Sequence, residues 1–196
     1  MSRLRVGVLV SGRGSNLQAL IEAGKDPRYP ARVVMVCANR ACPALEIAKK
    51  AGISRHLFRL ADFPDREARD REMVRMLRQH DVELVVCAGY DAILERAFTR
   101  EFAGRVINIH PSLLPEFAGT MDAVRMALNA GVAETGCTVH VVTKDVDQGP
   151  ILAQRRVEVR PDDTVESLRE RIQAEEHGLL TEVVRRLAGQ PLPLPS

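Results

Sequence analysis

Short apolar runs alternate with amphipathic stretches through the first ninety residues. Arg5–Val10, Arg32–Ala38 and Val82–Ala88 are mostly β-branched or apolar. Such runs are the mark of strands covered on both faces. After the break Ser11-Gly12-Arg13-Gly14-Ser15-Asn16, Leu17, Leu20 and Ile21 recur at three- and four-residue spacing, which predicts a helix. A second helix is predicted near Ala44–Ala51, closed by Gly52 as its C-cap. A third covers residues 66–79, with Met73, Val74 and Leu77 on one face. Strands alternating with helices in this way predict a parallel sheet with helices on both faces.

The second half changes texture. Arg105–His110 reads as a strand, and Pro111-Ser112-Leu113-Leu114-Pro115 breaks regularity. A helix over Asp122–Asn129 ends at Gly131. Two further strands, Gly136–Val142 and Ile151–Val159, flank the polar turn Thr143–Pro150. A long helix should start near Asp162 or Asp163, with Thr164 another cap candidate. It carries Val165, Leu168, Ile172, Leu179, Leu180, Val183, Val184 and Leu187. Without repeat, low-complexity stretch or linker, residues 1–188 read as one domain and 189–196 as a Pro-rich tail. The fold class expected is α/β, a Rossmann-like, mostly parallel sheet.

Composition narrows the picture little. The chain has 196 residues, 45% hydrophobic and 28% charged, with a formal net charge of +2. That is ordinary globular composition, too balanced for a surface that wraps nucleic acid. No stretch approaches the length of a membrane span, and Val6–Val10 is too short for a signal sequence. Cys37, Cys42, Cys87 and Cys137 show neither a C-x-x-C pair nor zinc spacing. They read as reduced thiols in a cytoplasmic protein. No metal-ligand spacing and no G-x-S-x-G is present.

Four places can carry chemistry. The bend Gly12–Asn16 joins a strand to a helix, where exposed N–H groups make a phosphate cradle. It is neither a dinucleotide fingerprint nor a Walker loop, and a tight turn with Ser15 or Asn16 as N-cap is the alternative. In Val106–Pro111, strand alternation puts Ile107 and Ile109 on the core side and Asn108 and His110 together on the other. Two donors so placed suit an oxyanion; a pair of structural polar residues is the alternative. Asp145 and Asp147 lie in the turn before Gly149-Pro150, and a carboxylate near His110 would favour its protonated form. Glu176 falls on the apolar stripe of the last helix, where a carboxylate needs a partner, and Gln173 lies one turn earlier. His140 alternates with Thr138 and is a candidate for the cleft of His110. His56 and His80 read as surface residues, and His177 as structural.

In this order, Ser11–Gln18, Asn108-Ile109-His110-Pro111-Ser112-Leu113-Leu114-Pro115, Asp147-Gln148-Gly149-Pro150 and Gln173-Ala174-Glu175-Glu176-His177 resemble the phosphoribosylglycinamide formyltransferase family. The resemblance runs from Arg5 to about Leu187. It implies a formyl group passed from 10-formyltetrahydrofolate to the amine of phosphoribosylglycinamide, without a metal. It implies that Gly14, Ser15 and Asn16 bind the substrate phosphate and that Gln173 and Glu176 hold the ribose and glycinamide. Arg66, Asp91, Ala92, Ile93, Leu94, Val142 and Asn108 would contact the folate, the 91–94 segment largely through backbone. Asn108, His110 and Asp147 would be catalytic. The chain departs from the family at Asp91-Ala92, where Met-Arg is common. It departs again over Glu116–Asp122, where a family histidine has no counterpart. The partners implied are small molecules, with neither nucleic acid nor membrane, for a monomer or homodimer. Rival readings are another folate-dependent formyltransferase acting on a nucleotide sugar or methionyl-tRNA, a hydrolase releasing formate from the same folate, and a nucleotide-binding module.

Overall fold

The computed structural model describes residues 3–189. Seven strands form one sheet: β1 (Leu4–Val10), β2 (Ala31–Ala38), β3 (Ser54–Leu57), β4 (Leu84–Cys87), β5 (Val106–His110), β6 (Glu134–Val141) and β7 (Ile151–Glu158). Their order is β3-β2-β1-β4-β5-β6-β7. The first five pair in parallel, while β5–β6 and β6–β7 are antiparallel. The mostly parallel sheet expected from the sequence is therefore present, with an antiparallel edge added. The turn between β6 and β7 is too short for a crossover, so β7 must return antiparallel.

Among the described residues six α-helices cover the sheet: α1 (Ser15–Lys25), α2 (Pro43–Lys50), α3 (Arg66–Gln79), α4 (Arg96–Glu101), α5 (Ala123–Asn129) and α6 (Val165–Leu187). Strand alternation sorts the core into two layers. Val6, Val8 and Val10, with Ile107 and Ile109, pack under α1, α2, α5 and α6. Leu9, Met35, Cys37 and Val106 pack under α3 and α4 on the other face. Asn108 and His110 share the parity of Val106, so they lie on the α3–α4 face, as the alternation required.

Several boundaries and caps move. The strand expected over Val82–Ala88 is paired only over Leu84–Cys87, and Gly52 follows a C-cap at Ala51 with φ 67. β3, α4 and a 3₁₀ turn at Leu60–Asp62 were not foreseen. The sequence Ser-Arg-His-Leu of β3 has almost no apolar content and becomes a strand only by pairing with β2. Only Gly189 of the expected Pro-rich tail lies within the described residues. Among the described residues no helix is long and apolar enough to cross a membrane.

Candidate active site

The carboxyl ends of β1, β4 and β5 open on one cavity of about 650 Å³, which is where ligands bind in sheets of this kind. Gly14, Ser15, Asn16, Asp91–Leu94, Asn108, His110, Val142, Asp147, Gln173 and Glu176 all line it. Arg66 does not. It faces a smaller cavity of about 270 Å³, whose wall shares Asp91, Ala92 and Ile93 with the larger one.

At one end stands the glycine-rich bend. The N-cap of α1 is Gly14, in the left-handed region at φ 84, with no side-chain cap. The alternative of Ser15 or Asn16 as N-cap is thereby overturned: both sit inside the first turn. A Cβ on Gly14 would lie 2.8 Å from that of Ala44, so φ and close packing on α2 both demand glycine here. The uncapped first turn leaves N–H groups open toward the cavity, as an anion requires.

Asn16 donates through Nδ2 to Glu176 Oε2 at 2.9 Å and joins the bend to α6. The long helix owes its start to a capping box, with Thr164 and Ser167 exchanging side-chain and backbone bonds. Its apolar stripe carries Glu176 into the core at 6% exposure. Burial pushes the Glu176 carboxyl up to about 7, against the pull of the Asn16 bond. Asn16 Oδ1 and Tyr90 Oη are buried with no partner among the described residues, at two points of the cavity wall. Buried polar atoms left so are places where a ligand group fits.

At the other end, β5 and β6 place four polar side chains together. Asn108 stands opposite His140 and His110 opposite Thr138 in the antiparallel register. His110 Nε2 donates to Phe117 O at 3.0 Å, and its Nδ1 lies 3.5 Å from Asp147 Oδ2. Both ring nitrogens thus face oxygen acceptors. His140 Nδ1 donates to Val141 O at 3.0 Å. Its Nε2 lies 3.2 Å from Asn108 Nδ2 and 3.4 Å from Asp147 Oδ1. Bare, Nε2 accepts from Asn108; protonated, it donates to Asp147. In the first state the second Asn108 N–H has no protein partner among the described residues.

Asp147 reaches this cluster because Gly149 can pass against β6, where a Cβ would overlap the Val141 carbonyl oxygen. The residue itself holds a left-handed φ of 54, which aspartate tolerates. Burial pushes its carboxyl up, but His140, the Gly119 N–H at 2.8 Å and the charge of His110 outweigh that and leave it below the ordinary value. Asp145 makes no such contact and is exposed.

The loop after β5 is tied to the same groups. Thr138 Oγ1 donates to Ser112 O and accepts from Leu114 N and Gln154 Nε2. Phe117, whose carbonyl holds His110, has φ 54, a costly conformation for an aromatic residue.

Sequence reasoning missed other cavity residues. Arg169 lines the cavity two helical turns before Glu176, the same-face spacing that singled out Glu176 itself. Tyr90, Met121 and Lys144 also line it; no spacing rule marks them, since each lies in an irregular segment. Among the described residues no three of His, Cys, Asp and Glu are grouped to hold a metal ion.

A mostly parallel sheet with an antiparallel edge thus carries an asparagine–histidine–aspartate cluster beside a cavity at its carboxyl end. Residues 4–184 match the family profile described as Formyl transferase. A phosphoribosylglycinamide formyltransferase of Mycobacterium tuberculosis is 46% identical over 184 residues, covering 94% of this chain and 85% of that protein. The trifunctional purine biosynthetic protein adenosine-3 of Drosophila pseudoobscura pseudoobscura is 46% identical over 97% of this chain, which spans only 14% of that relative's length. The crystal structure of glycinamide ribonucleotide transformylase 1 from Symbiobacterium toebii superposes with a TM-score of 0.92 at 44% identity, covering 95% of this chain and 88% of that one. The chain belongs to the formyl transferase family and, within it, to the phosphoribosylglycinamide formyltransferases.

Proposed function

We propose that this chain transfers the formyl group of 10-formyltetrahydrofolate to the amine of phosphoribosylglycinamide, a step of purine biosynthesis carried out in the cytoplasm. The observation that carries this reading is the meeting of Asn108, His110 and Asp147 over the cavity that also takes in Gly14–Asn16, Gln173 and Glu176. Gly14, Ser15 and Asn16 take the phosphate on the open first turn of α1. Gln173 and Glu176 hold the ribose and glycinamide. The backbone of Asp91–Leu94, with Val142 and Asn108, takes the pteridine. Arg66, beside the shared wall of the smaller cavity, meets the part of the folate that leaves the main one.

The substrate amine forms a bond to the formyl carbon, and the bond from that carbon to N10 of the folate breaks. Between the two, the formyl oxygen carries negative charge. The free Asn108 N–H and the doubly protonated His110 ring, turning its Nε2–H from the Phe117 carbonyl to the oxygen, stabilise it. Asp147 holds His110 in that state. It also orients a water that carries the amine proton to the leaving nitrogen, so the products are the formylated glycinamide and tetrahydrofolate. Residues 1–188 act as one formyltransferase domain, as a monomer or homodimer, on small molecules alone.

The test is formyl transfer from 10-formyltetrahydrofolate with and without phosphoribosylglycinamide. Tetrahydrofolate release that needs the acceptor supports the proposal. Equal release of formate without acceptor makes the chain a hydrolase and defeats it.

A further inference from the structure

Residues 88–95, between β4 and α4, have no regular secondary structure, yet they form one wall of the main cavity. Near β4 the segment is held by β1: Ala88 N donates to Leu9 O, Gly89 O accepts from Ser11 N, and Asp91 N donates to Ser11 Oγ. Asn39 and Arg40 also bind the Asp91 carboxylate. Beyond Asp91 the anchors change. Ile93 O accepts from Arg69 Nη2 at 2.9 Å, and Glu95 N donates to Asp70 Oδ2 at 2.6 Å.

Arg69 and Asp70 are neighbours on α3, with side chains 3% and 0% exposed. They are joined by Nε–Oδ1 at 2.8 Å and Nη2–Oδ1 at 2.7 Å. Their sequence neighbours Glu67, Arg71, Glu72 and Arg75 are solvent-facing, so composition alone gives no sign that this pair is buried. Taking two charges out of water costs free energy that apolar residues of similar volume avoid. A buried pair is therefore a poor choice for stability alone. It does something apolar residues cannot: it holds a carbonyl and an N–H two residues apart, with Leu94 between them. Among the described residues the backbones of Ala92 and Leu94 make no hydrogen bond to protein. They stay available to a ligand, on a segment whose geometry is set from behind.

We propose that Arg69 and Asp70 are positioning residues for the formyl donor, bracing residues 91–95 so that the free backbone groups of Ala92 and Leu94 meet the pteridine in register. This rests on the formyl-transfer reading above. The brace touches neither the reacting atoms nor the phosphate end, so its loss acts on one substrate only.

The experiment compares wild type, R69M/D70N and R69K. The double variant is charge-neutral, removes the Ile93 anchor and weakens the Glu95 one. A buried backbone group that loses a charged partner is displaced or left unpaired, so the KM for 10-formyltetrahydrofolate should rise about tenfold while that for phosphoribosylglycinamide stays within about twofold. Amide exchange at Glu95, whose N–H the brace holds, should quicken while exchange in β1 and β4 is unchanged. R69K, keeping the charge and one donor, should recover part of the donor KM. A folded double variant with wild-type donor KM and wild-type exchange overturns the brace, as does an equal rise in both KM values. Should the double variant not fold, R69K decides: a raised donor KM with unchanged acceptor KM supports the brace, and wild-type values for both overturn it. Wild type without formyl transfer sinks the functional reading instead, and exchange at Glu95 in the variant still decides whether the brace exists.

Discussion

The two ends of the cavity each hold a buried carboxylate, and the two are driven in opposite directions. Glu176 is 6% exposed, accepts one amide N–H and, among the described residues, has no cation beside it, so burial wins and its carboxyl rises to about 7. The Asp147 side chain is 10% exposed, yet two imidazoles and a backbone N–H converge on it, and its carboxyl falls below the ordinary value. Burial is common to both, so burial alone does not set charge. The number and polarity of partners decides it. One end can exchange a proton near neutral pH, and the other keeps its negative charge beside two imidazoles.

That contrast can be broken at its strongest point first. Removing one oxyanion donor typically costs about 100- to 1000-fold in turnover. Asn108→Ala and His110→Ala should each lose that much kcat and still unfold cooperatively by circular dichroism. Near-wild-type turnover in either would end the assignment.

Asp147→Asn comes next. Turnover should fall about 100-fold, the scale of a lost acid–base partner. The linkage has a definite sign. With its folded value depressed, Asp147 contributes stability above the ordinary carboxylate value of 3.8, and that contribution disappears as pH falls through the lowered value. The variant should therefore melt earlier than wild type at neutral pH and converge with it in strong acid; a constant offset across pH would contradict the assignment.

Glu176→Gln sharpens the other side. The folded state holds the Glu176 proton more tightly than the unfolded chain, where the ordinary value is 4.5. Its contribution is complete below about 4.5 and is lost as pH rises through about 7. Relative to wild type, the glutamine variant should gain stability from pH 5 to 8, by roughly 3 kcal/mol at most. The KM for phosphoribosylglycinamide should rise about tenfold for the lost charged acceptor. Melting curves whose difference ignores pH would show that Glu176 is ionised throughout.

The smaller effects lie at the margins. Gly14→Ala puts a Cβ against Ala44 and into a left-handed backbone, a strain of roughly 1–3 kcal/mol to be read from denaturant unfolding. Arg66→Ala should raise the KM for 10-formyltetrahydrofolate only about threefold, since an exposed charge contributes little. A hundredfold rise would mean that Arg66 reaches the main cavity when the donor binds.

Much of the candidate site was legible because it depends on local periodicity. Alternation within five residues put Asn108 and His110 on one face. Helical spacing put Glu176 on the stripe, and Gly14 announced the bend. What stayed hidden depends on partners far along the chain. Alternation with Thr138 marked His140 for the cleft, but its contact with Asn108 follows only from the antiparallel register of β5 and β6. The ion pair Arg69–Asp70 looks solvated in sequence and is buried by a loop that begins some twenty residues later. Arg66, which the resemblance sets against the folate, lines the smaller cavity and not the main one.

By itself the sequence determined the period of each element, the turns that glycine and proline permit, and the residue types available for chemistry. Those follow from sterics within a few neighbours. Only the tertiary structure decided which polar groups meet and in what charge state. Asn16 and Glu176 are separated by 160 residues, and the electrostatic state of a carboxylate is a property of everything within a few ångströms of it, wherever in the chain those atoms come from.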